Sequence, residues 1–251
     1  EVAAGSSFAA SDASLSWLQA VKGNARVKAS RAVNRLMKCS RCGMSENTNV
    51  LPFCVKHGMI WERFVMSTKR VILYRPPPRV HVTPFPQRTV PVGLMTIAAT
   101  LRSRGAHDVR IVDGFEGEGP EVLARMARDW GADVVGVSGM TAHAYDGMVA
   151  AHLVKASSPS TLMVAGGIHF SAVPLESMEV CPHIDVVVIG EGEKTFLELC
   201  DNWDPASTNK DHLMGVDGLA WLDDGELHTT KPRTPMPDLG WIPMPAYDLV
   251  N

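Results

Sequence analysis

VVVIGEGEKTFLEL, residues 186–199, passes from a continuous apolar run through Gly-Glu-Gly-Glu into a stretch with helical spacing. A strand that is apolar at consecutive positions is covered on both faces, the condition of a parallel sheet held between helices. Gly190 and Gly192 stand where that strand would hand the chain to a helix. In an open α/β sheet this is the edge at which ligands lie. Read outward, the same grammar recurs: VILY at 71–74, VRIVDG at 109–114, DVVGVSG at 133–139, TLMVAGG at 161–167 and DVVVIG at 185–190 are short, rich in Val and Ile, and bounded by Gly or Asp. Between or after them come VGLMTIAATLRSRG, PEVLARMARDWG, a stretch around AYDGMVAAHLVKAS, and KTFLELCDNW. The first two carry apolar residues at helical spacing and end in Gly, the usual C-cap residue. The alternation predicts βαβ units in a doubly wound, five-stranded parallel sheet.

The chain has 251 residues, of which 45% are hydrophobic and 20% charged, enough for one full core and an appendage. A formal charge of -3 supplies no basic field to gather nucleic acid or an anionic membrane, so neither is expected as a partner. No apolar run approaches the roughly 20 residues that span a bilayer. The opening EVAAGSSFAASDASL lacks the basic and apolar regions of a secretory signal, which makes the cytoplasm the expected compartment.

Composition divides the chain into three expected regions. Residues 1–68 are Ala/Ser-rich, then basic, then cysteine-bearing, without strand and helix alternation. Residues 69–205 hold the alternating pattern. Residues 206–251 include LAWL and ELHTT around Asp224-Gly225, a hairpin signal, followed by five prolines between Pro232 and Pro245, which predict an extended connector. The chain begins with Glu rather than Met, and a start of the central region at Met66 is an alternative.

Residues just beyond the strands carry the candidate site. Ser138 and Thr141 follow the third run, Gly166, Gly167 and His169 the fourth, and Gly190, Glu191, Gly192 and Glu193 the fifth. The glycines remove side chains where a flat or bulky group would approach the backbone. A nucleotide is the wrong occupant: Gly190-Glu191-Gly192-Glu193-Lys194-Thr195 follows the last strand, lacks the third glycine of a dinucleotide fingerprint, and places Glu193 where a phosphate loop needs glycine. Two glutamates there would repel phosphate. Taken singly, each residue has a plain structural reading: Glu193 complements the dipole of the following helix by about 0.3–1 kcal/mol, His169 is a loop histidine, and Ser138 a turn residue. What favours a site is that all of them fall at the strand ends of one sheet. A receiver or nucleotide-binding domain is a third possibility, but RPPPRV after the first run lacks its acidic cluster.

In this order VPVGLMTIAATLRSRG, VRIVDG, DVVGVSGMT, VAGGIHFSAVP, VVVIGEGEKTFLEL, the GLAWLDDGELHTTKPR hairpin and WIPMPAYDLV resemble the amino-terminal half of cobalamin-dependent radical S-adenosylmethionine enzymes, over about residues 70–250. The resemblance implies a Rossmann-like or flavodoxin-like B12-binding domain that holds cobalamin, with its corrin over the strand ends and its nucleotide tail running into the domain. It implies that Gly166, Gly167, Gly190 and Gly192 lie against the cofactor. Glu191 and Glu193 would accept from its amides or orient the loop, and Ser138 and Thr141 would meet the tail. Cobalamin carriers with a histidine on cobalt use D-x-H-x-x-G after the first strand, and this chain has only His81 there, without the Asp and Gly partners. No histidine lower ligand is therefore expected. The C-x-x-x-C-x-x-C motif that binds the family's iron-sulfur cluster and serves S-adenosylmethionine is absent, so the chain is expected to stop before a radical barrel joined in cis. By itself it is expected to bind cobalamin and catalyse nothing, the parent enzyme being of methyltransferase type. The alternative is a free-standing cobalamin sensor or carrier.

Cys39-x-x-Cys42 followed by Cys54-x-x-His57 has the spacing of a small tetrahedral zinc site. The alternative is a set of reduced surface thiols. His57 in place of a thiolate argues against an iron-sulfur cluster, and Cys181 and Cys200 stand isolated.

Overall fold

A computed structural model of the chain describes residues 68–77, 89–207 and 210–250, together with the backbone of residues 53–55 and 58–60. The chain divides into two compact units, Glu1–Met66 and Ser67–Asn251. In the first, β1 (Phe53–Val55) pairs antiparallel with β2 (Gly58–Ile60), and Cys54 lies opposite Met59. Of the expected zinc ligands, Cys39, Cys42 and His57 lie outside the described residues, as does the side chain of Cys54. His81 lies outside them too.

The second unit is built on β3 (Arg70–Arg75), β4 (Asp108–Asp113), β5 (Val134–Ser138), β6 (Leu162–Gly166), β7 (Val186–Val188), β8 (Leu219–Asp223) and β9 (Glu226–Thr229). Their order across the sheet is β4-β3-β5-β6-β7-β8-β9. The first five are parallel, and β8 and β9 are antiparallel additions. The helices are α1 (Val92–Arg104), α2 (Pro120–Trp130), α3 (Thr141–Ser157), α4 (Ile168–Ala172), α5 (Pro174–Val180) and α6 (Gly192–Asn202).

Alternation along each strand explains the double covering. Val71 and Leu73 of β3 belong to one core with Leu94, Ala98 and Leu101 of α1 and Phe196 and Leu199 of α6. Ile72 and Tyr74 belong to the other, with Leu123 and Ala127 of α2 and Ala150 and Val154 of α3. Each fully buried leucine or isoleucine contributes about 1.5–3 kcal/mol of transfer free energy. Gly136, in the middle of β5, is required by contact: a Cβ there would sit 2.7 Å from the Phe196 ring. Its absence lets α6 lie close on the sheet.

Three differences from the sequence reading concern the outer parts. The hairpin forms at Asp224-Gly225, both with positive φ as a two-residue turn demands, but it continues the sheet: Leu219 pairs with Val188 of β7, so the sheet has seven strands. Residues 168–180 form two short helices that the periodicity did not announce. The proline-rich stretch is extended apart from two 3₁₀ turns, and it is docked. Ala246 N–H donates to the Met95 carbonyl at 3.1 Å, Arg102 pairs with Asp248 at 2.7 Å, and the Arg104 guanidinium lies 5.1 Å over the Trp241 ring. Among the described residues no helix is long and apolar enough to cross a membrane.

Candidate functional site

The crossover reverses direction between β3 and β5, so the crevice opens at the carboxyl ends of the central strands. There the structure brings the expected residues into two neighbouring groups. The first joins β5 to β6. Gly139 N–H donates to the Gly166 carbonyl at 3.1 Å, and His169 N–H donates to the Gly139 carbonyl at 3.3 Å. Gly167 has φ +90, and a Cβ on it would meet the Gly139 carbonyl oxygen at 2.9 Å and the Ser138 hydroxyl at 3.0 Å. Only glycine satisfies both the dihedral and the space. Thr141, exposed at the start of α3, has its hydroxyl 3.3 Å from His169 Nδ1. Ser138, Thr141, Gly166, Gly167 and His169 thus share one edge.

The second group follows β7. Gly190 has φ +80, and a Cβ on it would find nothing within 4 Å, so bare backbone faces open space. Its N–H donates to the Ser171 hydroxyl at 3.1 Å, while that hydroxyl lies 3.3 Å from the Val188 carbonyl. Ser171 therefore staples the β7 turn to α4, a role that GGIHFSA did not disclose. Glu191 and Glu193 are engaged by the protein: Met236 N–H donates to Glu191 Oε2 at 3.2 Å, and the Thr96 hydroxyl donates toward Glu193 Oε1 at 3.0 Å. Gly192 packs on Ile97, whose Cδ1 would lie 3.0 Å from an added Cβ. Both carboxylates hold the loop in place.

Next to these groups lies a third feature that sequence reading missed. At the ends of β3 and β4, Arg75 and Asp113 form a two-pronged, nearly buried ion pair, with Nε to Oδ1 at 2.8 Å and side chains 12% and 10% exposed. The guanidinium lies 4.1 Å over the Phe115 ring, and Phe115 meets His143 edge to face at 5.7 Å. Burial and the Arg75 charge hold the His143 imidazole below its ordinary pKa. Burial and the nearby Asp146 carboxylate push the Tyr74 phenol upward. Asp113 is the last residue of β4, and in VRIVDG it reads only as one of the Asp and Gly residues that bound a strand. Its partner lies 38 positions away, beyond local pattern.

Large apolar side chains stand exposed beside the glycines: Met140 at 54%, Tyr145 at 58% and Ile168 at 75%, with Val90 and Val92 at the start of α1 also exposed. Contiguous exposed apolar groups are a usual mark of ligand-binding or interaction surfaces. Among the described residues, no three His, Cys, Asp or Glu side chains are placed to hold a metal ion. What this edge offers is bare backbone, small hydroxyls and apolar contact. Such a surface can take a flat or bulky ligand against the main chain.

The B12 binding domain family model matches residues 78–200. An uncharacterized methyltransferase of Pyrococcus horikoshii is 33% identical over 187 residues, 74% of this chain and 39% of that protein. The cobalamin-dependent radical SAM methyltransferase TokK of Streptomyces tokunonensis is 32% identical over 111 residues, 42% of this chain and 16% of its own. The solved structure of the cobalamin-dependent S-adenosylmethionine radical enzyme OxsB, with aqua-cobalamin and S-adenosylmethionine bound, superposes with a TM-score of 0.63 at 18% identity, covering 78% of this chain and 28% of that one. This chain therefore spans about two fifths, or less, of the length of these relatives. By that family match the chain carries a B12-binding domain over residues 78–200, similar to the domain found in cobalamin-dependent radical S-adenosylmethionine enzymes.

Proposed function

We propose that this chain is the cobalamin-holding module of a radical S-adenosylmethionine methyltransferase, with the corrin lying over the carboxyl ends of β3, β5, β6 and β7. The observation that carries this reading is the open, side-chain-free backbone at Gly190 beside the closed cradle at Gly167, on the edge where Met140, Tyr145 and Ile168 are exposed. Gly166, Gly167, Gly190 and Gly192 would let the ring approach the main chain. Ser138, Thr141 and His169 would offer hydrogen bonds to the nucleotide tail, and Glu191 and Glu193 would keep the loop in register through Met236 and Thr96. When bound, cobalamin supplies a cobalt centre able to carry a methyl group. On this reading the iron-sulfur cluster and S-adenosylmethionine belong to a radical barrel outside the 251 residues, cobalt has no histidine on its lower face, and the protein works in the cytoplasm. Residues 1–68, 69–205 and 206–251 would be a leader with zinc held by Cys39, Cys42, Cys54 and His57, the cobalamin domain, and the lead to the barrel.

The test is an absorption titration of the purified chain with hydroxocobalamin, followed by desalting and zinc analysis. One equivalent retained with a base-off spectrum is expected. A folded sample that retains none overturns the proposal, and a histidine-on spectrum overturns the lower-face assignment.

A further inference from the structure

Arg233 follows the β8–β9 hairpin, far along the chain from the strand ends, yet its side chain is only 8% exposed, and its Nε and Nη2 donate to the chain around the G-E-G-E loop. Nε donates to the Thr195 hydroxyl at 2.5 Å, and Nη2 donates to the Glu198 carboxylate and to the Asp217 carbonyl at 3.1 Å. Thr195 and Glu198 sit in the first two turns of α6, directly after Gly192 and Glu193. Asp217 precedes Gly218, whose carbonyl accepts from Ile189 N–H at 2.9 Å, one residue before Gly190. Gly218 N–H in turn donates to the Lys231 carbonyl at 2.8 Å. Three residues beyond Arg233, Met236 N–H donates to Glu191. Residues 231–237 thus hold the loop from both flanks, and Pro232, Pro235 and Pro237 stiffen that segment.

We infer that Arg233 is a positioning residue that couples the G-E-G-E loop to residues 231–237, so that a ligand ordering the loop also orders the segment that leaves the sheet. This rests on the cobalamin reading given above. An arginine suits the task because one planar fork reaches a hydroxyl, a carboxylate and a carbonyl together, which the single ammonium of lysine cannot do. Removing it leaves Thr195 within 3.2 Å of the Asp217 carbonyl and Glu198 partly open to solvent, so the fold has local substitutes for the lost contacts.

The experiment combines hydroxocobalamin titration with hydrogen exchange of the whole chain, free and loaded, for wild type, Arg233→Ala and Arg233→Lys. In wild type, cobalamin is expected to protect residues 190–196 and 231–237 together. Arg233→Ala should bind on the order of tenfold more weakly, the size of an ordinary coupling between sites. Its residues 231–237 should gain no protection, and Arg233→Lys should fall between. Should Arg233→Ala fail to fold, Arg233→Lys carries the comparison. Wild-type affinity in the alanine variant overturns the inference, as does wild-type protection of 190–196 without 231–237. If wild type binds no cobalamin, the reading beneath the inference falls and takes the inference with it.

Discussion

At the scale of single residues, Gly167 and Gly190 look alike in sequence and differ in their surroundings. Both have positive φ, but a Cβ on Gly167 would meet backbone atoms at 2.9–3.0 Å, whereas one on Gly190 would meet nothing. Gly167→Ala is therefore expected to lower stability by about 1–3 kcal/mol, the usual cost of a strained, over-determined backbone, read as a shift in urea midpoint. Gly190→Ala should cost only the left-handed backbone term of about 1–2 kcal/mol. Gly190→Trp should leave the domain folded and abolish hydroxocobalamin retention. Wild-type retention by the tryptophan variant would remove Gly190 from the site. His143 supplies a pH dependence. Burial and the Arg75 charge lower the imidazole's pKa in the folded protein, so the unfolded chain takes up the proton first as pH falls. Stability from this group is full above the ordinary histidine pKa of about 6.5 and falls as pH drops below it. The loss of melting temperature between pH 8 and pH 5.5 should be smaller in His143→Gln than in wild type. Equal losses would show that His143 is not the responsible group.

At the scale of elements, α6 is held at both ends for different purposes. Its start carries the loop, while near its end Asp201 lies 3.1 Å from His107 Nε2. Lys69 N–H donates to His107 Nδ1 at 3.1 Å, so the proton of the neutral ring sits on Nε2 and is offered to Asp201. One buried imidazole thereby ties the start of β3 to α6 at the edge of the sheet opposite the site. His107→Ala should lose about 1–3 kcal/mol through the unmet Lys69 donor while leaving hydroxocobalamin affinity unchanged. A parallel fall in affinity would show that the two edges are not independent. The legibility of elements follows the same physics. Gly131 ends α2 with φ +64 as a C-cap glycine is expected to, but Gly105 ends α1 in a right-handed conformation. It is glycine because a Cβ would lie 2.6 Å from both the His107 ring and Leu197. Helices α4 and α5 escaped notice because they are five and seven residues long, too short to show a period, and are split by Val173-Pro174.

At the scale of the whole molecule, the chain divides into two compact units, Glu1–Met66 and Ser67–Asn251, and the candidate cobalamin edge belongs to the second. Removing metal with a chelator is accordingly expected to strip any zinc held by Cys39, Cys42, Cys54 and His57 and to leave hydroxocobalamin binding unaltered. Zinc analysis and cobalamin titration on one treated sample check this, and cobalamin loss in step with zinc would show the two sites to be linked. The docked tail belongs to this scale as well. WIPMPAYDLV reads locally as an extended connector, but Ala246 is buried against α1 and Asp248 pairs with an arginine 146 positions away.

The sequence by itself determined the parallel sheet, the hairpin turn and the sheet edge that carries the candidate site. Double burial writes consecutive apolar residues into each strand, and a backbone approached by a ligand, or turning through positive φ, writes glycine at its end. Only the tertiary structure decided that the hairpin extends the sheet, that Glu191 and Glu193 are held by Met236 and Thr96, and that Arg233 clamps the loop they flank. Those partners lie 45, 97 and 38 positions apart, and a polar side chain carries no mark of which distant donor or acceptor folding will bring to it.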